Sequence, residues 1–301
     1  MALGSAGLQA KDYVTCGFDN ADLIICIGYD LVEFHPYLWH PTRDREILHI
    51  DSSPAEVDAF YPVKVGVVGD IKHSLIRIAE IATPHIGHTL RPLREALIKD
   101  MNAHGKDDGF PVKPQKIIWD LRTALDLEDI VICDVGAHKM WMARMFRCEY
   151  PNTCIISNGF ASMGIAVPGA VAAKLAFPER NVVAVTGDAG FMMNSQEIET
   201  ALRLKVPIVI LIWNDNGYGL IKWKQMNEFG RPSNVDFGNP DFVKYAESFG
   251  AIGYRVSRAE ELPELLERAL HNDRVTIIDC PVDYSENLKL TAKLGEMICP
   301  V

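Results

Sequence analysis

Short apolar runs alternate with amphipathic stretches along most of the chain. In its C-terminal two thirds, runs such as 181–188 and 207–215 are mostly apolar and have the length of a strand, and helical periodicity follows the first of them. Apolar runs of this length are typical of strands that are buried on both faces of a parallel sheet. The alternation therefore predicts an α/β fold in which right-handed βαβ units form a doubly wound parallel sheet.

The predicted elements divide the chain into three regions. The first region, 1–85, has strands at 21–29, 45–51 and 63–70 and a helix at 71–82. Three strands are few for a doubly wound sheet, so we expect a partial, Rossmann-like α/β domain. The second region, 86–112, is predicted to be a linker with one short helix. The third region, 113–301, has predicted strands at 129–136, 153–158, 181–188, 207–215, 251–256 and 275–283, and predicted helices at 115–126, 138–147, within 164–177, and at 194–205, 240–249 and 259–271.

Composition and charge narrow the class of protein. With 301 residues, of which 48% are hydrophobic, the chain can bury a large core. The net charge of −10 argues against a nucleic acid or an anionic membrane as a partner. The seven Cys form no CxxC pair and lie mostly in apolar runs, which favours reduced thiols in a cytoplasmic protein. The longest apolar runs are too short to span a membrane.

Small or polar residues follow four of the predicted strands, and parallel strands bring such ends to one edge of the sheet. The four are Gly136-Ala137-His138, Asn158-Gly159, Gly187-Asp188-Ala189-Gly190 and Asn214-Asp215-Asn216-Gly217. A single one of them would be an ordinary strand-to-helix turn. Together, two carboxylates and several small residues suit Mg²⁺ and the phosphates that it binds. Because GxGxxG and GxxxxGK[ST] motifs are absent, we expect the helix that opens at Ala189 and Gly190 to receive the phosphate.

Two of these segments resemble a known cofactor signature. GDAGF (187–191) and WNDNGYG (213–219), with 26 residues from Asp188 to Asn214, resemble the diphosphate-binding signature of thiamine-diphosphate enzymes. The neighbouring VGAHKMW, SNGFASMGIAVPGA, FVKYAESFGA and PVDYSENLKL are most similar to acetolactate synthases. The resemblance covers nearly the whole chain. Residues 113–301 resemble the diphosphate-binding domain of that family, and residues 1–85 resemble the second half of its central domain.

The resemblance implies thiamine diphosphate and Mg²⁺ as cofactors. By matching positions, Asp188 and Asp215 would bind Mg²⁺ through their side chains and Gly217 through its carbonyl. Met163 would hold the cofactor in a bent conformation, and the Ala161 carbonyl would accept a hydrogen bond from its aminopyrimidine. The other residues expected to contact the cofactor are Gly136, Ala137, His138, Gly187, Ala189, Gly190 and Tyr218. The alternative for Met163 is a core residue, and for His138 an ordinary first-turn residue of a helix.

The residues expected to contact the substrate lie in the segment after Tyr218. The resemblance implies that Leu220 and Ile221 line an acceptor pocket, with Trp223 and Lys224 as further candidates. The alternative for Lys224 is the solvated start of an amphipathic helix. Asp51 and Asp70 resemble positions that face FAD in some members, although many members lack flavin.

The implied reaction is that of an acetolactate synthase, a transferase or lyase of branched-chain amino acid biosynthesis. Such a carboligase decarboxylates pyruvate and joins the product to a second pyruvate, which gives 2-acetolactate. Its sites form between subunits, so we expect a homodimer or tetramer. The alternatives are another thiamine-diphosphate decarboxylase or carboligase, and a non-catalytic cofactor-binding or assembly subunit.

The family's catalytic carboxylate is a Glu on a pyrimidine-binding domain upstream of the central domain, and nothing in this chain matches it. We therefore expect no catalytic residue of that kind here and no turnover by this chain alone. A truncated segment of a longer enzyme is the favoured explanation, and a split enzyme whose partner chain carries the pyrimidine-binding domain is the other. A half-built first sheet would also make the isolated chain poorly soluble.

Overall fold

The computed structural model describes residues 4–7, 15–32, 34–83 and 91–287. The described residues form two compact units, which divide between Leu97 and Ile98. A helix of 14 residues, Arg91–His104, lies in the stretch predicted as a linker and is longer than the short helix expected there. The predicted boundaries at 85/86 and 112/113 stay predictions.

The first unit is built on a parallel sheet of three strands. The strands β1 (Leu23–Ile27), β2 (Glu46–Asp51) and β3 (Val63–Val68) are neighbours in that order and match the predicted strands. The helices of this unit are α1 (Thr15–Asp19), a 3-10 helix (Pro36–Leu38) and α2 (Ile71–Ile81). The Asp70 carboxylate caps α2, because it accepts the N–H of His73 at 2.6 Å.

The two faces of this sheet differ in burial. Ile24, Cys26 and Ile47 point into a core that Trp39 and Tyr61 complete. Side chains alternate between the faces of a strand, so the intervening residues of β1 point the other way. Those residues, Leu23, Ile25 and Ile27, are 44–53% exposed. One face of this small sheet is therefore apolar and largely open to solvent.

The second unit is a doubly wound sheet of six parallel strands in the order β5-β4-β6-β7-β9-β8, and all six strands were predicted. The strands are β4 (Ile130–Cys133), β5 (Cys154–Ile156), β6 (Val182–Gly187), β7 (Val209–Asn214), β8 (Ile252–Arg255) and β9 (Thr276–Pro281). The division between the units falls within the helix α3 (Arg91–His104). The helices that follow it in the second unit are α4 (Pro114–Ala124), α5 (Ala137–Met145), α6 (Ala166–Ala176), α7 (Asp188–Met193), α8 (Glu197–Arg203), α9 (Gly219–Phe229), α10 (Phe242–Phe249), a 3-10 helix (Ala259–Glu261) and α11 (Leu262–Leu270). The α/β fold class is thus confirmed.

Helices cover both faces of this sheet. Val167 of α6, Ile198 of α8 and Phe242 of α10 belong to the core on one face, and α4, α5 and α11 pack on the other. The central strands are buried along nearly their whole length, as their apolar runs predicted. The strand order reverses between β4 and β6, and open α/β sheets bind ligands in the crevice at such a point.

The predicted helix at 194–205 is wrong at its start. The chain instead forms α7 from Asp188, breaks at Asn194, and begins α8 at Glu197. The Asn194 side chain donates to the Gly164 carbonyl at 2.9 Å, a contact with a residue 30 positions away in the chain. That tertiary hydrogen bond competes with helix continuation, as short polar side chains can. No helix in the described ranges has the length and apolar character that a membrane crossing needs.

Candidate functional site

A cavity of about 190 Å³ lies at the carboxyl ends of β4, β6 and β7, and we name it the strand-end cavity. All of the residues predicted to contact the cofactor line it: Gly136, Ala137, His138, Ala161, Met163, Gly187, Asp188, Ala189, Gly190, Asp215, Gly217 and Tyr218. Leu220 and Ile221 line it too. Its wall also contains Val135, Gly219 and Tyr284, for which we made no prediction. The sheet topology thus brings together positions that lie up to about 150 residues apart in the sequence.

Asp188 is the first residue of α7 and is almost completely buried. One carboxylate oxygen accepts the backbone N–H of Ala189 at 2.8 Å, and the other accepts the side-chain amide of Asn239 at 2.7 Å. Burial raises the pKa of this carboxyl, and these hydrogen bonds oppose the rise. Asp188 is therefore a well-oriented carboxylate that has given up most of its hydration.

Asp215 follows β7 and faces the same cavity. Burial raises its pKa to about 7, the nearby charge of Asp188 adds to the rise, and Lys222 opposes it. Lys222 itself is bound to Asp236 at 2.9 Å. Within the described ranges, no side chain or backbone N–H of another residue donates to the Asp215 carboxylate. Two neighbouring carboxylates with too few donors form a site that favours a cation.

Gly219 leaves room for this carboxylate. A Cβ atom at position 219 would lie 2.6 Å from Oδ2 of Asp215, closer than any real contact allows. Gly217 is equally confined, since its Cβ would lie 2.9 Å from the Val235 carbonyl oxygen. Glycine at both positions lets the backbone of this turn come close to whatever Asp215 binds.

No group of three or more His, Cys, Asp or Glu side chains in the described part of the chain could hold a metal ion. The strand-end cavity offers two carboxylates and nearby backbone carbonyls, so the remaining ligands of a cation would come from a bound molecule. Mg²⁺ is commonly bound in that way, by one or two carboxylates together with phosphate oxygens. The residues present thus fit a metal-bound diphosphate.

Asp134, at the end of β4, is a site residue that sequence reasoning missed. Its fully buried carboxylate accepts the N–H groups of Gly164 at 2.9 Å and Ala166 at 3.2 Å, and the hydroxyl of Thr186 at 3.3 Å. These bonds hold the loop that carries Ala161 and Met163 into the cavity. The signal that could have found it is an acidic residue directly after a fully apolar strand, where a charge is costly unless it is hydrogen-bonded.

The loop that Asp134 holds has an unusual backbone. Ala161 has a φ of 49° and Gly164 a φ of 87°, both in the left-handed region. For a residue with a Cβ atom this conformation costs roughly 1–2 kcal/mol. Such strain persists only where the surroundings hold it, and it is common at binding sites.

His138 lies in the first turn of α5 and is 2% exposed. Burial lowers the pKa of its imidazole to about 4, while a hydrogen bond that the imidazole donates to the backbone carbonyl of Asp134 opposes the decrease. Its Nε2 atom has no hydrogen-bond partner among the described residues. A neutral imidazole with an unsatisfied buried nitrogen is more consistent with a place for a polar ligand atom than with a satisfied first-turn residue.

The substrate-pocket candidates separate into two groups. Leu220 and Ile221 lie in the strand-end cavity, whereas Trp223 is buried and lines a second cavity of about 430 Å³ beside it. Lys224 is exposed and lines neither of these two cavities. The difference arises because α9 turns successive side chains to different sides.

Tyr284 was also missed, and it lines both of these cavities. Its ring stacks on that of Trp213 with the centroids 6.4 Å apart. Two side-chain hydrogen bonds secure the segment around it: Gln115 donates to Glu286 at 2.7 Å, and the Trp141 indole donates to Asn287 at 2.7 Å. The PVDYSEN segment therefore contributes directly to the site.

The two positions that resemble FAD contacts lie in the first unit. Asp51 lines a cavity of about 220 Å³ with Gly28, His49 and Ser53, whereas Asp70 caps α2 and does not line it. The possibility of FAD stays a prediction.

Comparison with known proteins relates both units to one family. The family "Thiamine pyrophosphate enzyme, C-terminal TPP binding domain" matches residues 134–280, and "Thiamine pyrophosphate enzyme, central domain" matches residues 1–78. The first match includes Asp188 and Asp215.

Individual relatives agree with these matches. The chain is 38% identical over 294 residues to an acetolactate synthase of Bacillus subtilis (strain 168), which covers 93% of this chain and 51% of that protein. It is 36% identical over 283 residues to a catabolic acetolactate synthase of Raoultella terrigena, and the match covers 91% of this chain and 50% of that protein. A probable acetolactate synthase large subunit of Methanococcus aeolicus is 31% identical over 328 residues, and the match covers 99% of this chain and 54% of that protein. The chain spans about half the length of these curated relatives.

Proposed function

Because the chain belongs to the thiamine pyrophosphate enzyme family, we propose that the strand-end cavity binds the diphosphate of thiamine diphosphate together with Mg²⁺. The observation that carries this proposal is the meeting of the Asp188 and Asp215 carboxylates at neighbouring strand ends, where burial raises the pKa of both groups. A divalent cation bound there would offset the repulsion between the two carboxylates.

The chain's own groups have separate parts in this site. Asp188 and Asp215 would bind Mg²⁺ through their side chains and Gly217 through its carbonyl. The backbone of Gly136, Ala137, His138, Gly187, Ala189 and Gly190 would surround the diphosphate. The neutral His138 ring places one more polar nitrogen in the same wall without adding a charge.

The other wall residues would orient the cofactor and shape the substrate space. When bound, thiamine diphosphate supplies the carbanion chemistry of 2-keto-acid decarboxylation and ligation. Ala161 and Met163, on the loop held by Asp134, would fix the orientation of its organic part. Leu220 and Ile221 add apolar surface beside Asp215, which would keep water away from the reacting atoms.

We propose acetolactate formation as the activity: decarboxylation of one pyruvate and condensation with a second, in a homodimer or tetramer. The names of the relatives support this reaction over others of the family. Inactivity of this chain without a pyrimidine-binding domain remains part of the proposal.

Calorimetric titration of thiamine diphosphate, with and without Mg²⁺, tests the site. Asp188→Ala and Asp215→Ala should each weaken Mg²⁺-dependent binding at least about 100-fold, because each removes a charged ligand from a site with few others. Asp273→Ala is the matched control, since that carboxylate is exposed and does not line the strand-end cavity. Unchanged affinity in both site variants, or an equal loss in the control, would refute the assignment.

An assay with pyruvate separates the proposed activity from its alternatives. Binding of the cofactor, with CO₂ release and 2-acetolactate only after a pyrimidine-binding domain is supplied, would support the proposal. CO₂ release with a different product, for example with 2-ketobutyrate or glyoxylate added, would favour another carboligase or decarboxylase. Cofactor binding without any CO₂ release in the supplemented assay would favour a non-catalytic subunit.

A further inference from the structure

Asn239 lies in the connection between α9 and α10 and bridges two strand ends of the site. Its side-chain Nδ2 donates to Oδ2 of Asp188 at 2.7 Å, and it lies 3.0 Å from Oδ1 of Asn214 and 3.2 Å from Oδ1 of Asn216. Asp188 follows β6, whereas Asn214 ends β7 and flanks Asp215 together with Asn216. One amide group thus connects one carboxylate to the turn that carries the other.

The orientation of this amide follows from its neighbours. Asn214 donates its own Nδ2 to Asp279 at 2.9 Å, so its oxygen must face Asn239. The ionised form of Asp188 can only accept hydrogen bonds. With acceptors on both sides, Asn239 has to present nitrogen rather than oxygen to Asp188. Hydrogen bonds thus link four side chains in a row: Asp279, Asn214, Asn239 and Asp188. Because a carboxylate stands at each end of this row, the direction of every hydrogen bond in it is fixed.

Neighbouring residues hold Asn239 in place. Asp241, two residues later, caps α10 by accepting the N–H of Val243 at 3.1 Å. Arg255 contacts Asp241 at 3.4 Å and binds the buried Asp279 at 2.8 Å. The same arginine therefore secures both the helix start beside Asn239 and the carboxylate that orients Asn214.

We propose that Asn239 is a positioning residue that sets the Asp188 carboxylate for a small divalent cation. This inference rests on the proposed function. A neutral donor suits the task, because it fixes a carboxylate oxygen without supplying a positive charge that would compete with the metal. Outer-shell hydrogen bonds of this kind typically change metal affinity 10- to 100-fold.

Metal preference distinguishes positioning from a general loss of structure. Mg²⁺ demands nearly ideal octahedral geometry, whereas Ca²⁺ tolerates irregular sites. In Asn239→Ala, the Mg²⁺ concentration at half-saturation of thiamine diphosphate binding should rise about tenfold. The corresponding Ca²⁺ concentration should rise less than about threefold. Calorimetry with each ion, at one fixed cofactor concentration, measures both.

Two further variants complete the test. Ser233→Ala, at an exposed position of the same connection, is the control and should leave both midpoints unchanged. Asn239→Ser keeps a shorter donor, so its Mg²⁺ midpoint should fall between those of the wild type and Asn239→Ala. If Asn239→Ala does not fold, the same comparison is made with Asn239→Ser.

Several results would overturn the inference. Unchanged midpoints in Asn239→Ala, equal rises for Mg²⁺ and Ca²⁺, or failure of both variants to fold would each show that Asn239 does not position the metal ligand. If the wild-type chain shows Mg²⁺-dependent binding of the cofactor and the Asn239 variants show the same midpoints, only this inference is refuted. A wild-type chain without Mg²⁺-dependent binding refutes the proposed function and this inference with it.

Discussion

The two carboxylates at the ends of β6 and β7 differ in how the protein satisfies them. Asp188 is buried but accepts hydrogen bonds from Ala189 and Asn239. Asp215 has no such donor from another described residue, and the charge of Asp188 lies nearby. In the metal-free chain, Asp215 therefore carries much of the electrostatic cost of the site, which is a common consequence of building a binding site in advance of its ligand.

Replacing Asp215 with Asn should stabilise the metal-free chain at high pH. The pKa of Asp215 is raised to about 7 in the folded chain, compared with about 3.9 for an unperturbed Asp. Ionisation of Asp215 thus lowers the free energy of unfolding. This loss of stability is absent below about pH 4 and grows between about pH 4 and about pH 7. Thermal unfolding at pH 8 should give a Tm about 3–6 °C higher for Asp215→Asn.

The size of that gain depends on pH. At pH 5 it should be less than half of its value at pH 8, because most of the wild-type carboxyl is then protonated. Asp273→Asn, at an exposed site outside the strand-end cavity, should show no such dependence. A gain of equal size at both pH values would mean that ionisation of Asp215 is not its cause.

At the scale of elements, Asp134 connects β4 to the loop before α6. Its carboxylate satisfies the N–H groups of Gly164 and Ala166 at a turn where Ala161 has a positive φ. All residues of strand β4 are buried, and the strand pairs with a neighbour on each side. A buried central strand thereby holds a strained loop in the position from which Ala161 and Met163 enter the strand-end cavity.

Asp134→Asn should lower the free energy of unfolding by about 1–3 kcal/mol. The reason is that the new amide nitrogen would face a backbone N–H group and cannot accept its hydrogen bond. Urea unfolding followed by circular dichroism measures this change. The looser loop should also weaken thiamine diphosphate binding. Asp273→Ala, an exposed control, should change the free energy by no more than about 0.5 kcal/mol. A neutral result for Asp134→Asn would remove its proposed part in holding the loop.

At the scale of the whole molecule, the two sheets are covered to very different degrees. Helices pack on both faces of the six-stranded sheet, and its central strands are buried. The three-stranded sheet instead presents Leu23, Ile25, Ile27 and Val65 to solvent, each more than 40% exposed. Contiguous exposed apolar side chains on a sheet favour association with other molecules.

The double substitution Ile25→Thr, Val65→Thr should reduce self-association of the chain. Threonine keeps the β-branched shape that suits a strand while adding a polar group. Light scattering across a concentration series should give a lower apparent mass, with thiamine diphosphate affinity unchanged because neither residue belongs to the second unit. Ile24→Thr, at a buried position of the same strand, should instead destabilise the first unit. A wild-type chain that is monomeric throughout the concentration series would contradict the expected effect of the exposed face.

The sequence by itself determined the parallel strands and the sheet edge at which their ends meet, and its resemblance to a known cofactor signature implied most of the residues around the strand-end cavity. Periodicity within a short segment carries the first part of that information, since a buried strand must be apolar along its length. Tertiary structure alone decided the parts of Asp134, Asn239 and Tyr284, and the break of the predicted helix at Asn194. Each depends on contacts between residues about 30 or more positions apart, and strand order sets which remote groups become neighbours. Local pattern therefore predicts where a site forms, whereas long-range hydrogen bonding determines how its ligands are held.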